Sequence, residues 1–280
     1  MWTIFNHSLR RLLWQILGWG ITLGLVTLYL MWIYKPMISQ QAQLANLFKA
    51  YGQEMLSFFG GAADFISPGG YLDFGFFSYM PVVAGIFVIL IGSGLLVADE
   101  EKGTLDLVLA HPLSRTALFF GQLLAFIAAT VAILLLTWAG FACGLPLAGL
   151  DTTIWKMLLP HLSLLATLFL FGSLSLFLSL ILPSRSAAAS LSGFLLVASY
   201  VVTSLARVND KLTEINKISP LKYYQGGHAV NGLDWNAFLG ALGVSLLFAL
   251  IAWLLFLRRD IRVSGTSSWQ MPSLWGKEIR

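Results

Sequence analysis

Charge is what this sequence has least of. Asp, Glu, Lys and Arg together make 11% of its 280 residues, against about 25% in an ordinary soluble domain. Such a chain cannot clothe a globular core in a charged surface. It also has a single cysteine, Cys143, which rules out an internal disulfide and, in its apolar setting, reads as packing. No Gly-x-x-x-x-Gly-Lys-[Ser/Thr] loop occurs, so the chain holds no phosphate cradle of the usual kind for ATP. No His-Glu-x-x-His occurs either, and neither His161 nor His7 has a nucleophile and a base at useful spacing or a second metal ligand beside it. These gaps leave no catalytic residue, no metal site and no resident cofactor to assign.

What is abundant is apolar length. Hydrophobic residues make 58% of the chain, and six runs are long enough to cross a hydrocarbon core of about 30 Å at about 1.5 Å per helical residue. They fall at about 12–34, 76–97, 116–142, 157–182, 187–206 and 236–257. The expected fold is an all-α integral membrane protein, one transmembrane domain over 1–280. No Asp, Glu, Lys or Arg falls in the central part of any run. Ion-coupled carriers and proton relays usually rest on such groups, so if this chain drives anything uphill, the energy enters from elsewhere.

Orientation follows from the basic residues, because loops rich in Lys and Arg stay in the cytoplasm. Placing both termini inside puts Arg10, Arg11, Lys102, Arg115, Arg185, Arg258, Arg259, Arg262, Lys277 and Arg280 on the cytoplasmic side. Lys35, Lys49, Lys156, Arg207, Lys211, Lys217 and Lys222 then lie outside. The doublets beside the first and last runs favour this arrangement. The localisation expected is the cell inner (plasma) membrane, multi-pass.

Residues 3–16 carry Phe5, Leu9, Leu12, Leu13 and Ile16 on one helical face, which predicts an interfacial elbow helix leading into span one. The apolar run exceeds the length of a cleaved leader, and no small-x-small site follows it. Lys35-Pro36 is expected to end span one. Over 37–75, Leu44, Leu47, Phe48, Tyr51, Met55, Phe58 and Phe59 recur at helical spacing, the pattern of a helix lying on the outer surface as a lid or as a partner surface. Tyr71 to Phe77 bring an aromatic cluster to the head of span two. Ser114 suits the N-cap of span three, and Gly144-Leu145-Pro146 is expected to break it.

The fourth run is rich in hydroxyls: Ser163, Thr167, Ser173, Ser175 and Ser179. They can line a pathway, or bond back to their own and neighbouring helices. Ala189 with Gly193, and Ser186 with Ser190, have the small-xxx-small spacing of a helix-packing face, either within the subunit or across a dimer. The segment 207–235 is too short to cross in its apolar half and is expected to lie at the outer interface or to dip in and return. Trp269 and Trp275 sit in a polar tail.

Between the second and third runs lies the densest charge in the chain, Asp99-Glu100-Glu101-Lys102-Gly103-Thr104-Leu105-Asp106-Leu107-Val108-Leu109-Ala110-His111-Pro112-Leu113-Ser114-Arg115. Thr104 can cap a short helix, Asp106 suits its positive end and Pro112 stops it. Leu105, Val108 and Leu109 share one face. A helix over about 104–110 is too short to hold in water alone, so its apolar face calls for a docking partner.

This stretch, with Leu118 and Gly121-Gln122-Leu123-Leu124-Ala125, resembles the signature of ATP-binding-cassette type 2 (ABC-2) permeases, in which a Glu-rich turn, Gly-Thr-Leu, leucines, Pro-[Ile/Leu]-Ser-Arg and a Gly-Lys follow span two. Gln122 departs from it, standing where Lys is common. The resemblance implies a membrane permease subunit of a bacterial exporter, moving a drug, lipid or peptide out of the cytoplasm. It implies two copies of a cassette ATPase, which carry the ATP and Mg, and a second permease, identical or related. The coupling helix would be seated in the ATPase through Gly103, Thr104, Leu105, Leu107, Val108, Leu109 and Pro112, with Glu100, Glu101 and Arg115 as its polar rim. Two alternatives stand beside it: an ATPase-coupled anchor doing mechanical work on a partner, and an ATP-independent carrier or channel.

Overall fold

The computed structural model describes residues 1–40, 67–101 and 114–258. The expected outer helix over 44–59, the coupling helix over 104–110 and the tail with Trp269 and Trp275 lie outside the described residues. Those described are helical with short turns, and no strand occurs among them. The long helices are α1 (Trp2–Ser39), α3 (Met80–Gly94), α5 (Arg115–Ala148), α6 (Leu158–Ile181), α7 (Arg185–Ala206) and α9 (Trp235–Arg258). Short helices fill the connections: α2 (Pro68–Leu72), a π-helical turn (Asp73–Phe77), α4 (Val97–Glu101), α8 (Thr213–Asn216) and the 3-10 turns Asp210–Leu212, Pro220–Tyr223 and Gly226–Asn231.

Among the described residues five helices are long and apolar enough to cross a membrane, and the pair Pro68–Phe77 and Met80–Gly94, bent by 44°, makes a sixth. The expected starts and ends hold within a few residues for spans four, five and six. Three details differ. The elbow is not an element of its own, because residues 3–16 continue without a break into one helix of 38 residues, about 57 Å long at about 1.5 Å per residue. Pro36 does not end that helix. In its last turn it forfeits only the bond to the Trp32 carbonyl, and the chain turns helical as far as Ser39, whose Oγ donates to the Pro36 carbonyl at 2.6 Å. Nor does Gly144-Leu145-Pro146 break span three. Its helix runs to Ala148 and stops at Gly149, whose φ of 65° gives the left-handed cap that glycine alone adopts easily.

Chain direction sorts the helix ends into two groups. One, the charged end, gathers the start of α1, α4, the starts of α5 and α7 and the end of α9. The other, the glycine-aromatic end, gathers the end of α1, α2, the π-helical turn and the segment 207–234. Between them α1 lies along α5, and α6 is the hub that touches α3, α7 and α9. The α1–α5 seam is built on two small-xxx-small pairs, Gly20 with Gly24 and Gly140 with Gly144. A Cβ on Gly24 would meet the Leu136 carbonyl at 2.9 Å, and one on Gly140 would overlap the Gly24 carbonyl. Thr27 Oγ1 donates across the seam to the Thr137 carbonyl at 3.0 Å. In lipid, where burial of apolar surface drives little, such close approach and hydrogen bonding hold helices together.

The hydroxyls of α6 turn out to be spent on backbone. Thr167 donates to the Ser163 carbonyl, Ser173 to Leu170 and Ser179 to Leu176, while Ser175 reaches the Ile89 carbonyl of α3 at 2.9 Å. His161 is buried, with Nδ1 2.8 Å from the Met157 carbonyl and its ring in T-shaped contact with Phe77 and Phe141. On α7 the small-residue face is only partly used within the described chain: Ala189 packs against the cluster of Ile89, Phe171, Leu196 and Leu221, whereas around Gly193 a Cβ would meet nothing within 4 Å, and Phe194 beside it is 67% exposed.

Candidate functional site

The charged end is where chain topology brings separated charges together. Helix α4 follows α3 after one turn and ends at Glu101, where the segment 102–113 begins. Val97 anchors it in a core with Leu118, Phe119, Leu176 and Phe256, Ala98 is buried beside it, and its acidic residues reach outward to three other helices.

Asp99 accepts from Arg11 of α1 at 2.9 Å, and Gln122 Nε2 of α5 stands 3.5 Å from its other oxygen. Glu101 Oε1 accepts from the backbone N–H of Arg185 at 2.9 Å, placing a negative charge on the positive end of α7. Ser184 completes that end by accepting from the Ala187 N–H at 3.1 Å. The Arg185 side chain in turn donates through Nη2 to the Leu90 carbonyl at 2.9 Å, in the last turn of α3, where a cation meets the negative helix end. It lies so flat on α3 that a Cβ at Gly94 would stand 2.7 Å from its guanidinium carbon.

Of the residues expected to form the polar rim, Glu101 therefore binds the start of α7. Arg115 donates to the Leu257 carbonyl of α9 at 3.3 Å, and Glu100 is half-buried on α4. Ser114 caps α5 as expected, accepting from the Ala117 N–H at 3.1 Å. Gly103, Thr104, Leu105, Leu107, Val108, Leu109 and Pro112 lie outside the described residues. Arg11 and Arg185, read from sequence only as orientation charges, turn out to be the partners of α4. No local pattern could have shown this, since Arg11 and Asp99 are 88 positions apart.

Beside this junction a cleft of about 490 Å³ opens between α1 and α3. Its mouth carries Ser8, Arg11, Gln15, Asp99, Gln122 and Arg185, and its back wall is Leu12, Trp19, Phe87 and Ile91. The volume is that of a pocket for a drug-sized ligand, about 300–1,000 Å³. Among the described residues no group of His, Cys, Asp and Glu is placed to hold a metal ion.

The described residues of the glycine-aromatic end are tightly packed. Asp73, 2% exposed, accepts at Oδ1 from the Gly227 N–H at 2.9 Å, while His228 Nε2 lies 3.9 Å from Oδ2. Gly226 has φ 55°, and a Cβ on it would run into Asp73 Oδ1. One on Gly227 would run into the Asp73 nitrogen and stand 2.6 Å from the Gly69 carbonyl. Tyr224 donates to the Phe77 carbonyl at 2.8 Å and Tyr71 to the Leu30 carbonyl at 2.6 Å. Burial raises the Tyr224 hydroxyl well above its ordinary pKa, so it stays a donor. The cavity against Asp73, Ser78 and Arg207 is about 20 Å³, room for about one water. The span expected at 76–97 left Asp73 outside it; the helical run that continues across the bend takes this carboxylate into the interior.

Among the described residues, six helical segments long and apolar enough to cross a bilayer, counting the bent pair as one, define an all-helical multi-pass membrane protein. The sequence profile of the ABC-2 family transporter proteins matches residues 2–261, and the chain belongs to that family. Its chains are membrane components, not the ATPases, and generally work with a cassette ATPase and a second permease. The chain is also similar to the uncharacterized protein YhcI of Bacillus subtilis (strain 168), 28% identical over 207 residues, which cover 64% of this chain and 65% of that one. The match thus spans about two thirds of its relative's length.

Proposed function

We propose that this chain is the permease half of an exporter, moving a hydrophobic or amphipathic molecule out of the cytoplasm with ATP hydrolysed by a separate ATPase. In this reading the charged end is cytoplasmic, and the segment 104–110 is the coupling helix seated in the ATPase. The observation that carries it is the position of α4. It leads directly into that segment and is bonded to α1 through Asp99 and Arg11, and to α7 through Glu101 and the start of that helix.

A half-exposed ion pair of this kind contributes about 0–1 kcal/mol. Such contacts are too weak to explain stability, but they are directional. A displacement of 102–113 reaches α1 and α7 through them without passing through the apolar core. ATP would close the ATPase pair, and the helices would follow by differential binding to two states. The second permease would cover the α7 face at Gly193 and Phe194. A roomy cleft at the charged end and a tightly packed opposite end support transport over purely mechanical anchoring.

The test is to replace Leu105 and Leu109 together with Asp. The double variant is expected to insert normally and to lose co-purification with its cassette ATPase; undiminished co-purification would remove the docking claim.

A further inference from the structure

The cleft between α1 and α3 has a chemistry of its own, and we infer that it binds an amphiphile with a single anionic head, of phosphate or carboxylate type. The inference deepens the exporter reading, on which it rests for the side the cleft faces and for its role in transport. Binding itself depends on neither.

At the mouth, the two arginines offer more donors than their partners accept. Each guanidinium offers five N–H donors and accepts nothing. Among the described residues Arg11 donates to Asp99 and Arg185 to the Leu90 carbonyl, so both retain N–H groups in excess. Asp99, the one carboxylate among the described residues that line the cleft, is already engaged by Arg11 and approached by Gln122. Among the described lining residues two guanidiniums thus stand beside one carboxylate. What their remaining N–H groups lack is an anionic acceptor, and a phosphate or carboxylate matches the planar fork of arginine in two-point contact.

Depth supplies the second half. Trp19 lies two helical turns beyond Arg11 along α1 and faces Phe87 of α3, the ring centres 5.9 Å apart. With Leu12 and Ile91 they make an apolar wall behind the charged mouth. The exposed Trp14 and Trp32 of α1 stand about 27 Å apart at about 1.5 Å per residue, close to the spacing of the two aromatic belts of a bilayer. Arg11 then sits just beyond one belt and Trp19 inside the hydrocarbon. A ligand matched to both levels has its head at the interface and its chain inside. A free phosphate would meet the mouth alone, and a cationic amphiphile would meet two arginines.

Photo-labelling of the full-length chain in dodecyl maltoside tests this, using a diazirine-bearing alkyl phosphate with the crosslinker on the chain. Labelling is expected on peptides holding Trp19 and Phe87. Unlabelled dodecyl phosphate should suppress it at least tenfold, whereas dodecyltrimethylammonium at equal concentration and inorganic phosphate at millimolar concentration should leave it. Arg11→Gln should reduce it several-fold. Leu12→Trp, which fills the wall and removes no charge, should abolish it while the melting temperature holds, so that a folding defect cannot imitate the result. Equal competition by the cation would overturn the choice of head. Displacement by inorganic phosphate would overturn the role of the wall, and labelling spread over the lipid-facing helices would overturn the site. Because no ATPase is present, each of these failures is distinct from a failure of coupling, which the Leu105 and Leu109 variant reads.

Discussion

The two ends of this molecule are built from opposite materials. At one, glycine backbones and aromatic rings close on a buried carboxylate and leave about 20 Å³. At the other, charged side chains on half-exposed helices bridge a cleft of about 490 Å³. The glycine-aromatic end pairs Asp73 Oδ1, Tyr71 and Tyr224 with backbone groups, although Asp73 Oδ2 and His161 Nε2 are buried without a hydrogen-bond partner among the described residues. Its interactions are costly to break, since an unpaired buried polar group costs about 1–3 kcal/mol. The charged end is held by contacts of about 0–1 kcal/mol each, which can be exchanged for water or for a partner. A helical bundle so constructed is tightly packed at one end and held by exchangeable contacts at the other, where the proposed coupling would act. That division suits a subunit moved from one end.

Breaking the tightly packed end should have the largest consequence. Gly227→Val puts a branched side chain against the Asp73 nitrogen and the Gly69 carbonyl, both backbone. It is expected to lower stability by about 3 kcal/mol, at the upper limit of overpacking, read as loss of folded yield or a steep fall in melting temperature in detergent. Asp73→Ala should follow at about 1–3 kcal/mol, because the Gly227 N–H is left without its acceptor. A comparison of accessibility sharpens the contrast directly. In a Cys143→Ser background, a cysteine at Ser8 on the cleft should react with a water-soluble maleimide at least tenfold faster than one at the buried Ser78. Equal rates would mean that the two ends are equally open.

At the charged end the effects should move from stability to coupling. Arg11→Gln is expected to change stability by less than about 1 kcal/mol yet to reduce stimulation of the partner ATPase several-fold; an unchanged ATPase would deny the Arg11–Asp99 pair a part in transmission. Smallest of all, Gln122→Lys would set an ammonium near Asp99, where the amide now stands 3.5 Å away. Because position 122 is buried, desolvation of the ammonium offsets the pairing, and a net change of less than about 1 kcal/mol is expected, read as a melting temperature that shifts little.

Much of this was legible in the residues taken one segment at a time. Apolar length alone placed spans four to six, because a helix crossing lipid must satisfy its backbone internally and therefore announces itself as an unbroken run. Ser114 was readable as a cap because its partner, the Ala117 N–H, is three residues away. Gly144-Leu145-Pro146 misled for an equally local reason. A proline in the last turn of a helix removes a single bond, and the stop belongs to Gly149. The second span was read as beginning at about 76, after Asp73, and the carboxylate's acceptance of the Gly227 N–H, 154 positions on, is part of what makes its burial tolerable.

Composition and periodicity by themselves determined that this chain is a helical membrane protein, where most of its spans lie and which stretch between spans two and three carries the charge. Those properties depend on neighbours a few positions apart and on the thickness of the bilayer. Which charges meet was decided only by tertiary structure: Arg11 with Asp99, Glu101 with the start of α7, Asp73 with Gly227. Antiparallel packing brings together residues from 84 to 154 positions apart. Helical periodicity governs contacts a turn or two away, and the joining of distant ends follows from how the helices stack.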